Sequence, residues 1–178
     1  DVRKAVAAGD INKAQVLAWD AWQSLEPALA DGNNLEAWVL AGLRRMARDG
    51  YVAIHEAGAD AGMMQALESL RAEGQLPTRV YAMLSAREPD FCRAWLAKGP
   101  LVDPEGMLTV RSVKAYYDGS LGSRGARLLE DYADQKGHRG VSGGSYGFDQ
   151  SVVAEMMKAG FQVGIHAQGD RGIRVALD

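Results

Sequence analysis

One cysteine among 178 residues, Cys92, leaves nothing for an internal disulfide, so the fold does not depend on an oxidising compartment. No apolar run approaches the roughly 20 residues of a membrane helix, and a formal net charge of -3 gives no reason to expect nucleic acid or an anionic membrane as partner. The opening stretch, DVRKAVAAGD, lacks both the apolar segment of a signal peptide and an initiating methionine. The chain therefore reads as a piece of something longer. Any targeting signal would precede Asp1, which leaves the compartment open with the cytoplasm favoured. Low-complexity segments and close repeats are absent too. The glycine-rich SGGSYG, residues 142–147, lacks the Gly-Lys-Ser/Thr ending of a phosphate loop. What remains, 47% hydrophobic and 24% charged residues, is the composition of an ordinary soluble domain with one core.

The chain repeats one plan: helix, glycine, short apolar strand, polar or glycine-rich loop. Leu35, Trp38, Val39, Leu43 and Met46 follow helical spacing and stop at Gly50. Strands are expected in YVAIHEAG, RVYAMLSA, LTVRSVKAYYDG and FQVGIHAQGD, with helices in MMQALESLRAEG, DFCRAWLAKG and SVVAEMMKAG and a last one from about Arg171. Residues 1–34, with Trp19, Trp22 and Leu25, read as a helical lead-in, and 35–178 as consecutive βα units. Such alternation predicts a parallel sheet, either doubly wound or part of a (β/α)8 barrel. The pleat favours the barrel. Val163 and Ile165 oppose Gln162, Gly164 and His166; Val113, Ala115 and Tyr117 oppose Ser112, Lys114 and Tyr116; Val52 and Ile54 oppose Ala53 and His55. Each strand thus has one smooth apolar face for outer helices. Its other face carries a polar group near the carboxyl end, where barrel active sites lie. A whole barrel takes about 250 residues, so the expectation is a partial (β/α)8 TIM-type barrel.

Lys114 and His166 are the central pair, near the carboxyl ends of consecutive strands. One reading makes Lys114 a strand-edge lysine reaching solvent and His166 a hydrogen-bonded core histidine. The sharper reading is a metal site. Imidazole is the common nitrogen ligand of zinc, and desolvation lowers a lysine pKa. A neutral amine can capture carbon dioxide as a carbamate, an anionic oxygen ligand able to bridge two metals.

The stretches VKAYYDGSLGSRGA and GFQVGIHAQGDRGIRVALD, with GYVAIHEAG, resemble the amidohydrolase superfamily, most closely its family 3 branch of metal-dependent hydrolases that includes N-substituted formamide deformylase. The likeness runs from about Leu35 to the end and implies strands two to five of the barrel. By position, Lys114 matches the lysine that becomes carboxylated and His166 a histidine ligand. The resemblance also implies a His-x-His pair on the first strand, a histidine on the sixth and an aspartate on the eighth, none of which this sequence contains. It further implies one or two divalent ions, zinc being expected, acting on carbon–nitrogen bonds of a small amide-like substrate. The isolated chain is expected to be inactive.

On the substrate side the candidates are Arg124 and Ser120 in the loop DGSLGSRGA, Asp118, and His55. Arg124 offers a planar fork for a carboxylate or carbonyl, and Asp118 is placed to orient Lys114 or an adjacent group. An arginine paired with a neighbouring carboxylate is the plainer alternative for Arg124. Asp170 is expected to cap the final helix. Two rival functions stand beside the hydrolase: a lysine Schiff-base enzyme with Lys114 as nucleophile, and a non-catalytic half-barrel that persists only by self-association or with a partner.

Overall fold

The computed structural model describes residues 2–9, 13, 17 and 32–178; the expected helix around Trp19, Trp22 and Leu25 lies outside the described residues. Helix α1 spans Val2–Ala7 and α2 Gly32–Arg48. Then follow β1 (Ala53–Ala59), α3 (Ala61–Ala72), β2 (Arg79–Ser85), α4 (Pro89–Leu96), β3 (Leu101–Val102), β4 (Leu108–Tyr116), a short 3-10 turn (Gly143–Tyr146), α5 (Gln150–Lys158), β5 (Gln162–His166) and α6 (Asp170–Leu177).

Local chemistry sets several of these boundaries. Asp60 accepts the Met63 N–H at 2.7 Å and starts α3. Asp149 accepts the Ser151 and Val152 N–H groups and starts α5. Both meet donors that a helix leaves unpaired in its first turn. Asp170 behaves differently from the expected cap. Gly169 holds the cap position, and the Asp170 carboxylate accepts the Leu129 N–H at 2.9 Å as well as that of Arg171. It ties a distant loop to the helix start.

Strands β1, β2, β4 and β5 form a parallel sheet. The two-residue β3 adds antiparallel to the amino half of β4, along the edge whose carboxyl half pairs with β5. Ala82 pairs with Val110 but Met83 pairs with Ser112, so Arg111 is an extra residue in β4. That bulge flips the pleat. Leu108 and Val110 below it and Val113 and Ala115 above it all belong to one buried cluster, with Val80, Ala82 and Leu84 of β2.

The same cluster takes in Leu43 of α2, Met64, Leu67 and Leu70 of α3, Cys92 and Trp95 of α4, and Val152, Val153 and Met156 of α5. Helices α2 to α5 therefore cover one face of the sheet. The opposite face carries His55, Tyr81, Ser112, Lys114, Tyr116 and His166. Among the described residues, the helices that pack on the sheet, α2 to α5, lie on one side, as in a barrel wall and unlike a doubly wound sheet, which is covered on both.

Candidate functional site

The helix-free face is organised by two ring pairs, His55 with Tyr81 and Tyr116 with His166. Low on it, the Tyr81 hydroxyl lies 2.6 Å from Ser112 Oγ and 2.7 Å from Gln162 Oε1, joining β2, β4 and β5. His55 stacks on Tyr81 with ring centroids 4.8 Å apart. His55 is thus placed on the face expected for it, although exposed.

Nearer the carboxyl ends, Tyr116 is the shared platform. Lys114 Nζ rests 4.6 Å from the centre of its ring, and the His166 ring lies 5.7 Å away, centroid to centroid. The register explains the meeting: Lys114 pairs with Gly164 and Tyr116 with His166. Lys114 and His166 are diagonal neighbours on one face, one strand spacing and two residues apart, with no side chain at Gly164 between them. Burial holds the Lys114 amine below its ordinary pKa. It has no carboxylate partner among the described residues to offset that shift.

Asp118, two residues past β4, is sealed from solvent. Its carboxylate accepts the backbone N–H of Arg127 at 2.8 Å, of Gln168 at 2.9 Å and of Gly169 at 2.9 Å. It lies 3.9 Å from His166 Nε2, too far for a hydrogen bond but near enough for charge to favour one ring placement. The neighbour it approaches is thus the histidine, its hydrogen bonds go to backbone, and its burial leaves substrate no access to it.

The Arg124 fork is occupied. Its Nε and Nη2 both donate to Asp134, the shortest contact being 2.6 Å, which is the plainer of the two readings for that residue. His138 Nε2 lies 2.7 Å from the Arg124 carbonyl, and the backbone of Arg124 takes φ of 56°, unusual for a residue with a side chain. Ser120 is exposed and its hydroxyl meets that of Ser123 at 2.9 Å. The loop thus holds itself together with the groups expected to face substrate. Gln168 does likewise, accepting the Leu121 N–H at 3.0 Å.

Sequence reasoning missed Arg87, at the end of β2. Its guanidinium lies over the Tyr116 ring at 4.3 Å. The alternation of Tyr81, Met83 and Ser85 points to it once continued past the strand end.

The donor set suits one side of a metal centre: an imidazole and an amine biased toward its neutral form, on adjacent strands. Among the described residues no three His, Cys, Asp or Glu side chains come together, so the set is partial. No described helix is long and apolar enough to cross a membrane.

A family model described as the amidohydrolase family matches residues 8–178. Two solved structures share the fold. An uncharacterized metal-dependent hydrolase from Pyrococcus horikoshii OT3 is 23% identical, with a TM-score of 0.75 over 89% of this chain and 32% of its own. One from Pyrococcus furiosus is 24% identical, with a TM-score of 0.75 over 88% of this chain and 33% of its own. The chain thus spans about a third of the length of the structures it matches. None of the curated proteins matches it.

Proposed function

The chain belongs to the amidohydrolase family, and we propose that it forms the strand-two to strand-five portion of a metal-dependent hydrolase that cleaves carbon–nitrogen bonds in amide-like substrates. The observation that carries this reading is the meeting of Lys114 and His166 on the helix-free face, at the carboxyl ends of adjacent strands. In the complete barrel these two would hold a divalent metal, zinc suiting the imidazole. The chemistry such a metal supplies when bound is polarisation of an amide carbonyl and acidification of water.

Each residue has a task this structure supports. Lys114, biased to the neutral amine by burial, adds to carbon dioxide: a nitrogen–carbon bond forms, one proton leaves to solvent, and the product is an anionic carbamate. His166 presents its imidazole beside that group, steadied by the Asp118 charge at 3.9 Å. His55 lines the same face further toward the β1 edge. With only part of a ligand set, the chain by itself is expected to be inactive.

The test is metal content and amide hydrolysis in the complete enzyme carrying Lys114→Ala. Loss of both is expected; full metal content together with full activity rejects the role. The same depressed amine suits a Schiff-base nucleophile, but that chemistry gives His166 and Asp118 no task. Borohydride trapping of a carbonyl substrate on Lys114 would favour it instead.

A further inference from the structure

Several arginines of the loops and helices have carboxylate acceptors. Arg45 meets Asp49, Arg71 meets Asp103, Arg93 meets Glu155, Arg124 meets Asp134 and Arg139 meets Asp131. Arg87 is different. It makes no hydrogen bond or ion pair with the described residues, yet two rings position it: Tyr116 of β4 at 4.3 Å and Tyr146 of the 3-10 turn at 5.4 Å. Rings that take a guanidinium by its faces leave its in-plane N–H donors free. A guanidinium so placed, with no acceptor of its own, is a ready receptor for a planar anion, and a carboxylate is the group whose two oxygens match its fork.

Its location gives that receptor a purpose. The Tyr116 ring beneath Arg87 also carries Lys114 Nζ at 4.6 Å and adjoins the His166 ring at 5.7 Å. One tyrosine ring therefore joins the free guanidinium to the pair assigned above to the metal. Beside Arg87 opens a pocket of about 480 Å³ lined by Ala86, Gly144, Phe148, Asp149 and Gln150. The carboxylate on that wall, Asp149, does not take Arg87: its Oδ1 accepts Ser151 N–H at 2.9 Å, Ser151 Oγ–H at 2.7 Å and Val152 N–H at 3.3 Å.

We propose that Arg87 is the specificity residue of this site and binds the carboxylate of an anionic amide substrate, one whose carboxylate lies only a few bonds from the scissile carbon–nitrogen bond. The inference rests on the hydrolase reading and deepens it by naming the substrate class. Tyr116 and Tyr146 hold the fork in place, and the amide then extends from Arg87 across the Tyr116 ring toward Lys114 and His166.

The experiment compares N-formyl-β-alanine with its uncharged amide, N-formyl-β-alaninamide, in the complete metal-loaded enzyme. The wild type should favour the carboxylate in kcat/KM by about tenfold to a hundredfold, as hydrogen bonds to a charged group allow. Arg87→Met should bring the ratio near one, and Arg87→Lys, a point charge without the fork, should keep part of it. A ratio unchanged in Arg87→Met places the carboxylate elsewhere and overturns the proposal. An equal loss on both substrates makes Arg87 a support for the site rather than a receptor and overturns it too. If the wild type cleaves neither amide, calorimetric binding of glutarate against glutaramide decides the role of Arg87 separately. A glutarate preference that disappears in Arg87→Met supports the receptor, whereas one that survives, or no preference at all, refutes it. Should Arg87→Met fail to fold, Arg87→Lys carries the same comparison.

Discussion

Replacing Asp118 tests whether a single buried carboxylate locks the histidine-bearing strand to the long loop. Its three acceptor bonds reach across the fold: Arg127 lies in the loop after β4, while Gln168 and Gly169 form the turn between β5 and α6. A hydrogen bond to a charged group contributes about 1.5–3 kcal/mol, and a buried donor stripped of its acceptor costs about 1–3 kcal/mol. Two of the three donors are only part-buried and water can reach them after truncation. For Asp118→Ala we therefore expect a loss of about 4–6 kcal/mol rather than the full sum, a large share of the 5–15 kcal/mol typical of a domain.

Asp118→Asn separates charge from shape. Its amide oxygen can stand where Oδ2 accepts both Arg127 and Gly169, but its amide nitrogen then faces the Gln168 N–H, donor against donor. The expected loss is about 2–3 kcal/mol, between wild type and alanine. Asp118→Glu offers no escape, because the site is tight: a Cβ added at Gly172 would already stand 2.5 Å from Asp118 Oδ2. Urea denaturation of the complete protein gives the free energies, and metal content at each substitution reports on His166. An alanine variant within about 1 kcal/mol of wild type would show that the three bonds are replaced by water at little cost and would refute the reasoning.

Two further predictions concern the frame around the site. Glu56 sits in the apolar groove lined by Trp38, Leu43, Ile54 and Val80, where burial first and the Asp60 charge second raise its pKa above 4.5. A raised carboxylate pKa means the folded state resists ionisation, so Glu56→Gln should raise the melting temperature at pH 7, with the advantage closing as pH falls from above 4.5 through that value; a neutral or lowered melting temperature at pH 7 contradicts this. Gly169 has extended backbone angles that any residue adopts, φ -75° and ψ 148°, but an added Cβ would run into the backbone of Arg127. Gly169→Ala should cost at least about 1–3 kcal/mol by chemical denaturation, and a silent substitution would mean the loop yields freely.

The legible part of this fold was its period. Alternation from Ser112 to Tyr116 and from Gln162 to His166 assigned Lys114 and His166 to one face, because period two holds wherever a strand runs regularly. It fails where regularity fails. The two residues of β3, Leu101 and Val102, are too few to show a period, and the bulge at Arg111 reverses the faces of Leu108 and Val110 relative to naive alternation. The loop residues were illegible for another reason, which is distance along the chain. Asp118 reaches Gln168 and Gly169 fifty and fifty-one residues away, Arg124 finds Asp134, and Arg87 finds Tyr116 and Tyr146. Sequence chemistry gave each its capability. The fold decides which capability is spent internally and which stays available.

That division explains why a lysine and an arginine share one tyrosine. Lys114 sits within the strand and Arg87 on the rim, and the two cations respond oppositely to loss of water. A guanidinium keeps its charge in nearly any surroundings, whereas an ammonium gives up its proton more readily as burial deepens. The Lys114 amine is already shifted down with the helix-free face of the sheet open, and desolvation is the cause. Closing a barrel over that face removes more water and, absent a new carboxylate, pushes the same way. An incoming metal cation disfavours the ammonium further. On the proposed reading Lys114 would enter chemistry as a neutral amine or its carbamate, while Arg87, over the same ring, would keep its charge to receive an anion.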